Sequence, residues 1–125
     1  MIDKNLLSLV LNEEVIHIFD IDNNEFKYNI NPNDCTRTIN LDTLGRLCKE
    51  WCRKESGVEI FVFMLEPKEK CFNIQGLKYD NFEVRVLREK ERHLGEYLFS
   101  WWNMKSELEA IIQATEWVAK EKGLI

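Results

Sequence analysis

The sequence predicts an α+β fold: a mainly antiparallel sheet, built from an N-terminal hairpin plus three or four further strands, with two amphipathic helices packed on one face. Three observations predict it. Residues 15–30 alternate apolar and polar side chains on either side of Asn23 and Asn24, the period turns helical from Leu41, and a second helical stripe runs between Ser106 and Gly123. With 125 residues, no internal repeat and no linker composition, a single domain over 1–125 is expected.

The hairpin is the clearest local signal. Asn23 and Asn24 tolerate the positive φ of a two-residue turn, which sets Ile21 opposite Phe26 and Phe19 opposite Tyr28. Val15, His17, Phe19 and Ile21 then share a buried face with Phe26, Tyr28 and Ile30, while Asp20, Asp22, Glu25 and Lys27 face water. Residues 6–11, ahead of the hairpin, fit a short helix or a strand equally well. Residues 31–40 are polar, contain Pro32 and Asp34, and read as a loop.

From Leu41 onward Leu44, Leu47, Cys48, Trp51 and Cys52 recur at helical spacing, with Arg46, Lys49, Glu50, Arg53 and Lys54 opposite. Asn40 suits the N-cap and Gly57 the C-terminal stop. Gly45 inside this helix costs about 1 kcal/mol relative to Ala and suggests close packing on the sheet. Residues 58–65 are apolar on both parities after Glu59, which suits an interior strand covered on both faces. Residues 71–79 and 82–88 read as a strand pair, 88–93 as a charged loop, and 97–102 as one more strand. Leu108, Ile111, Ile112, Thr115, Val118 and Ala119 form the stripe of the last helix, where Ser106 and Glu109 have capping-box spacing and Asn103 is a rival cap three residues earlier.

Composition narrows the function classes. Lys plus Arg number 17 against 22 Asp plus Glu, a net charge of −5, which disfavours nucleic acid as a partner held by non-specific electrostatics. No apolar stretch approaches a bilayer span or a signal-peptide core, so a cytoplasmic protein without membrane contact is expected. His17 and His93 are the only histidines, and neither lies in a nucleophile elbow; no glycine-rich phosphate loop occurs either. Asp20, Asp22 and Asn24 imitate a calcium loop, but Glu25 and Asn31 stand where its Gly and Glu belong. The expectation is therefore a non-enzyme with no cofactor and no metal.

Four cysteines occur: Cys35, Cys48, Cys52 and Cys71. Cys48 and Cys52 share one helix face, and two such thiolates supply half of a tetrahedral zinc site that Cys71 or a histidine would complete. This keeps a small metal-dependent protein or enzyme as an alternative, against the reading of both as buried hydrophobes on the apolar stripe.

The order helix, three strands, helix over 41–122 resembles that of a double-stranded RNA-binding domain. That family grips phosphates with basic residues at the start of its last helix, where this chain has Lys105 against Glu107 and Glu109. RNA binding is thus a further alternative. Leu47, Cys48 and Trp51 in the first helix, with the 106–117 segment of the last, also resemble small uncharacterised proteins of phages and other mobile elements, which implies an accessory role such as inhibition of another protein.

Residues 1–40 hold 3 basic and 7 acidic side chains, 41–104 hold 11 of each, and 105–125 hold 3 and 4. The negative surplus is therefore N-terminal. Asp20, Asp22 and Glu25 are the candidate contact residues for a basic protein partner, and Trp101 or Trp102, adjacent on a strand and so aimed at opposite faces, the apolar anchor. The expected protein is a non-catalytic inhibitor or immunity-type factor that occludes a macromolecule; a homodimer through an open sheet edge or an exposed tryptophan is its nearest structural variant.

Overall fold

A computed structural model describes residues 2–22, 24–31, 35–64, 82–88, 99–104 and 106–125; within these, the side chains of residues 20–22, 88, 99 and 101–104 lie outside the described set. The chain is α+β with antiparallel sheet. Its elements are α1 (Lys4–Leu11), β1 (Glu14–Asp22), β2 (Glu25–Asn31), β3 (Cys35–Asn40), α2 (Leu41–Ser56), β4 (Val58–Met64), β5 (Phe82–Arg88), β6 (Phe99–Met104) and α3 (Glu107–Glu121).

The described strands form two three-stranded antiparallel sheets, ordered β1-β2-β3 and β4-β5-β6, where one sheet was expected. A third helix joins the two expected ones. Residues 6–11 belong to it: the Asp3 carboxylate accepts from the Leu6 N–H at 2.8 Å, and Asn12 ends it in the left-handed region at φ 54°. Residues 35–40, expected as loop, form β3 because six consecutive residues pair with β2, from Ile30 opposite Cys35 to Glu25 opposite Asn40. A half-polar sequence with Thr36, Thr38 and Ile39 suits an edge whose one buried side chain is Ile39.

The hairpin register departs from simple alternation. Ile21 stands opposite Phe26 as expected, but Ile18, not Phe19, stands opposite Tyr28, and Val15 opposite Ile30. Two bulges in β1 each insert one extra residue, so after Val15 the inward side chain is Ile18 rather than His17. His17 and Phe19, expected inside, are therefore exposed, with Ile16 beside them. Their rings meet edge to face at 4.6 Å.

Caps end the long helices where the sequence places them. Asn40 accepts from the Asp42 N–H at 2.8 Å, Gly57 takes φ 64° and donates its N–H to Arg53 O at 2.9 Å, and Ser106 accepts from the Glu109 N–H at 3.1 Å. Gly45 does not face a sheet. A β-carbon there would meet Ile111 Cδ1 at 3.4 Å and Leu108 Cδ1 at 3.6 Å, so its close packing is against α3.

One apolar cluster joins the elements: Leu6 and Leu7 of α1, Phe26, Tyr28 and Ile30 of β2, Leu44 and Cys48 of α2, Val84 and Val86 of β5, and Ala114 and Val118 of α3. Trp51 and Trp117 are half-buried against it. Helix α2 contacts β3, β4, α1 and α3, and so bridges the two sheets. Among the described strands β4 pairs with β5 alone, and its last residues, Phe63 and Met64, are exposed. Residues 71–79 and 89–93 lie outside the described residues.

Candidate partner-binding surface

The acidic end of the hairpin is built from the turn outward. Asp22 and Glu25 pair across a two-residue turn in which Asn24 adopts φ 66°, a conformation that asparagine tolerates. The Asn24 carbonyl accepts from the Leu41 N–H at 3.0 Å, which ties the turn to the first residue of α2. That N–H is one of the donors a helix start leaves without an internal partner. Glu25 also pairs with Asn40, the N-cap of α2, so its exposed carboxylate stands near the positive end of the helix dipole, as does Asp42 in the first turn. Part of the acidity read as recognition chemistry thus has a local structural partner.

The acids at the open end of the hairpin, remote from the turn, are also engaged. Glu13 forms an ion pair with Arg37 at 3.3 Å, and Glu14 accepts from Asn31 Nδ2 at 2.8 Å. Asp20 and Asp22 lie on β1 near the turn, with side chains outside the described residues.

A groove begins at the same end of α2. Leu41, Gly45 and Arg46 of α2 and Glu107, Leu108 and Ile111 of α3 line it, and it encloses about 460 Å³. The two helices run side by side in one direction: their first turns share this groove, and at the far end Lys122 Nζ donates to the Glu55 carbonyl at 2.6 Å. Lys49 and Arg53 also line the groove, but Arg46 is held by Glu50 at 3.0 Å, Arg53 reaches Glu59 at 3.9 Å, and Asp42 and Glu107 stand at its mouth. Sequence reasoning passed over this groove, although a glycine inside an otherwise regular apolar stripe was its signal.

The tryptophans sit on the other sheet. Trp101 occupies the ladder position opposite Val84, which belongs to the buried face, and Ser100 stands opposite Arg85. An irregularity follows, so Trp102 falls between the Val84 and Phe82 pairings. Neither tryptophan side chain is among those described. On the sheet's other face Arg85 Nε meets Glu83 Oε1 at 3.0 Å, the Ser100 hydroxyl donates to the same oxygen at 3.2 Å, and the guanidinium lies 4.9 Å from the centre of the Phe63 ring. The structure therefore gathers Asp20, Asp22 and Glu25 at one hairpin end and sets the tryptophans on a different sheet.

No family model matches this chain, and no curated protein or solved structure matches it either.

The thiol pair has a different character. Cys48 and Cys52 are fully buried under α3, beside Thr115, whose hydroxyl donates to the Ile111 carbonyl at 2.7 Å. Burial pushes the Cys48 thiol up to about 12 and the Cys52 thiol up to about 11, and a hydrogen bond with Thr115 offsets this only in part. A metal needs thiolates, and this environment favours the protonated form. Among the described residues no three His, Cys, Asp or Glu side chains converge on a metal position; Cys71 and His93 lie outside them. His17 is an exposed side chain on the opposite sheet.

Proposed function

We propose that this chain is a non-catalytic binding protein that acts in the cytoplasm by occluding a basic protein partner, as an inhibitor or immunity-type accessory factor of a phage or other mobile element would. The observation that carries the reading is the anchored acidic hairpin: Asp22 and Glu25 flank a turn whose carbonyl is bonded to the start of α2 at 3.0 Å. A charged ribbon held in this way loses little conformational freedom on binding, so its electrostatic attraction is not spent on ordering the loop. Charge steers the encounter, and burial of an aromatic anchor slows release. With Trp101 on the register opposite Val84, Trp102 is the anchor to test.

The test starts by identifying, by mass spectrometry, what the tagged chain captures from its source lysate, and then measures binding of that purified partner. Replacing Asp20 and Asp22 together by Lys is expected to weaken binding about tenfold, mostly through slower association, with a salt dependence that flattens. Thermal stability should be nearly unchanged. Unaltered affinity in the charge-reversed variant would refute the acidic-hairpin reading, and unaltered dissociation in Trp102→Ala would remove the anchor from it.

A further inference from the structure

The acidic hairpin end and the groove between α2 and α3 form one continuous surface. Leu41 belongs to both: its N–H is bonded to the Asn24 carbonyl of the turn at 3.0 Å, and it lines the groove. Glu25 stands opposite Asn40, the residue before the groove begins. The apolar lining is Leu41, Gly45, Leu108 and Ile111, with Leu41 and Leu108 half-buried. A β-carbon at Gly45 would meet Ile111 Cδ1 at 3.4 Å and Leu108 Cδ1 at 3.6 Å, so the helices approach closely there, and a cleft of about 460 Å³ opens beside the contact. Clefts of roughly 300–1,000 Å³ accept ligand-sized groups, and one of this size suits a few side chains.

Charge indicates what enters it. Glu25, Asp42 and Glu107 are exposed and form no ion pair among the described residues. The arginines along the groove are engaged from within the chain, Arg46 by Glu50 at 3.0 Å and Arg53 by Glu59 at 3.9 Å. Lys49, the third lining cation, lies two turns further along α2 than Asp42, about 10 Å away. The helix starts offset part of the acidity. Each supplies about half a positive charge, so two starts leave the three carboxylates with a surplus of about two negative charges at the mouth. An apolar cleft with an anionic mouth is complementary to an apolar side chain flanked by cations. We infer that the groove receives an aliphatic side chain of the basic protein partner, from a segment in which Lys or Arg flanks that side chain and meets Glu25, Asp42 and Glu107. The inference rests on the acidic-hairpin reading for the class of partner. It adds an apolar anchor at the acidic end itself, supplied by the partner, whereas the tryptophans of this chain lie on the other sheet.

The probe is an acetylated, amidated pentapeptide with one leucine between two pairs of lysines, titrated into the full isotope-labelled chain and followed by nuclear magnetic resonance. Amide shifts at Gly45, Leu108 and Ile111 are expected to saturate with a dissociation constant on the order of 1–10 mM. Alanine in place of the leucine should weaken this about tenfold, and glutamate in place of the lysines should abolish it. In the chain, Leu108→Ala and Glu107→Lys should each weaken binding of the leucine peptide about three- to tenfold. Glu107 is exposed, so its variant keeps the fold and carries the test alone should Leu108→Ala unfold. Absent groove shifts, equal binding of the leucine and alanine peptides, or equal binding of the lysine and glutamate peptides would overturn the inference. Shifts confined to Asn24 and Glu25 would do so while leaving the hairpin reading intact. That reading falls instead on unaltered affinity of the Asp20 and Asp22 variant for the captured partner.

Discussion

At the scale of single residues, burial decides the chemistry. An unfolded thiol ionises near pH 9, whereas Cys48 and Cys52 keep their protons to about 12 and about 11. Above pH 9 the unfolded chain therefore binds fewer protons than the folded one. The stabilisation is complete below pH 9 and is lost as pH rises toward 11 and 12, at about 1.4 kcal/mol per pH unit for each thiol. Urea midpoints measured between pH 8 and pH 10.5 should fall more steeply for the wild type than for Cys48→Ala, whose lower starting stability leaves the slope comparison intact. Gly45 supports a second prediction. Its backbone is not left-handed, and a methyl group there would reach Ile111 Cδ1 at 3.4 Å, the near edge of ordinary contact with a flexible side-chain end. Gly45→Ala should stabilise the chain by about 0.5–1 kcal/mol through helix propensity, read as a rise in the urea midpoint, while Gly45→Leu should wedge α2 from α3 and destabilise it.

At the scale of elements, ends and edges matter most. Asn40 joins β3 to α2: its backbone pairs with Glu25 and its side chain accepts the Asp42 N–H. Asn40→Ala should cost about 1 kcal/mol in chemical denaturation, and Ser106→Ala a similar amount at α3. Because the turn at Asn24 is bonded to Leu41, amide exchange at Leu41 should quicken in Asn40→Ala more than exchange at mid-helix Cys48, which would show that the cap secures the hairpin as well as the helix. The two bulges of β1, which pairs with β2 alone among the described strands, break the regular ladder that its free side would otherwise offer to another chain, and they bring His17 and Phe19 to the surface.

At the scale of the whole molecule, α2 is the element on which the rest depends. It contacts β3 of one sheet and β4 of the other, and Leu44 is fully buried in the apolar cluster that α1, both sheets and α3 share. Leu44→Ala should cost about 2–5 kcal/mol and lower the stability of both sheets together. Fluorescence and far-ultraviolet circular dichroism should report coincident transitions; separate transitions for the two sheets would contradict a shared core.

The amino-acid sequence by itself determined the α+β class, the course of α2 and α3, the α2 caps at Asn40 and Gly57, and the hairpin turn at Asn24, because each rests on contacts within a few residues along the chain, while the structure chose Ser106 over Asn103 as the cap of α3. It also separated Asp20, Asp22 and Glu25 as one group at the hairpin end. Tertiary structure decided what local pattern leaves degenerate. Residues 35–40 became a strand because β2 offered a partner, and α1 formed where its apolar run met a sheet face. The bulges reversed the facing of His17 and Phe19, since period-two alternation holds only while no residue is inserted. Gly45 packed on a helix rather than a sheet, and the tryptophans came to lie on a different sheet from the acidic turn, because pairings between residues distant in the chain are settled by the free energy of the assembled core.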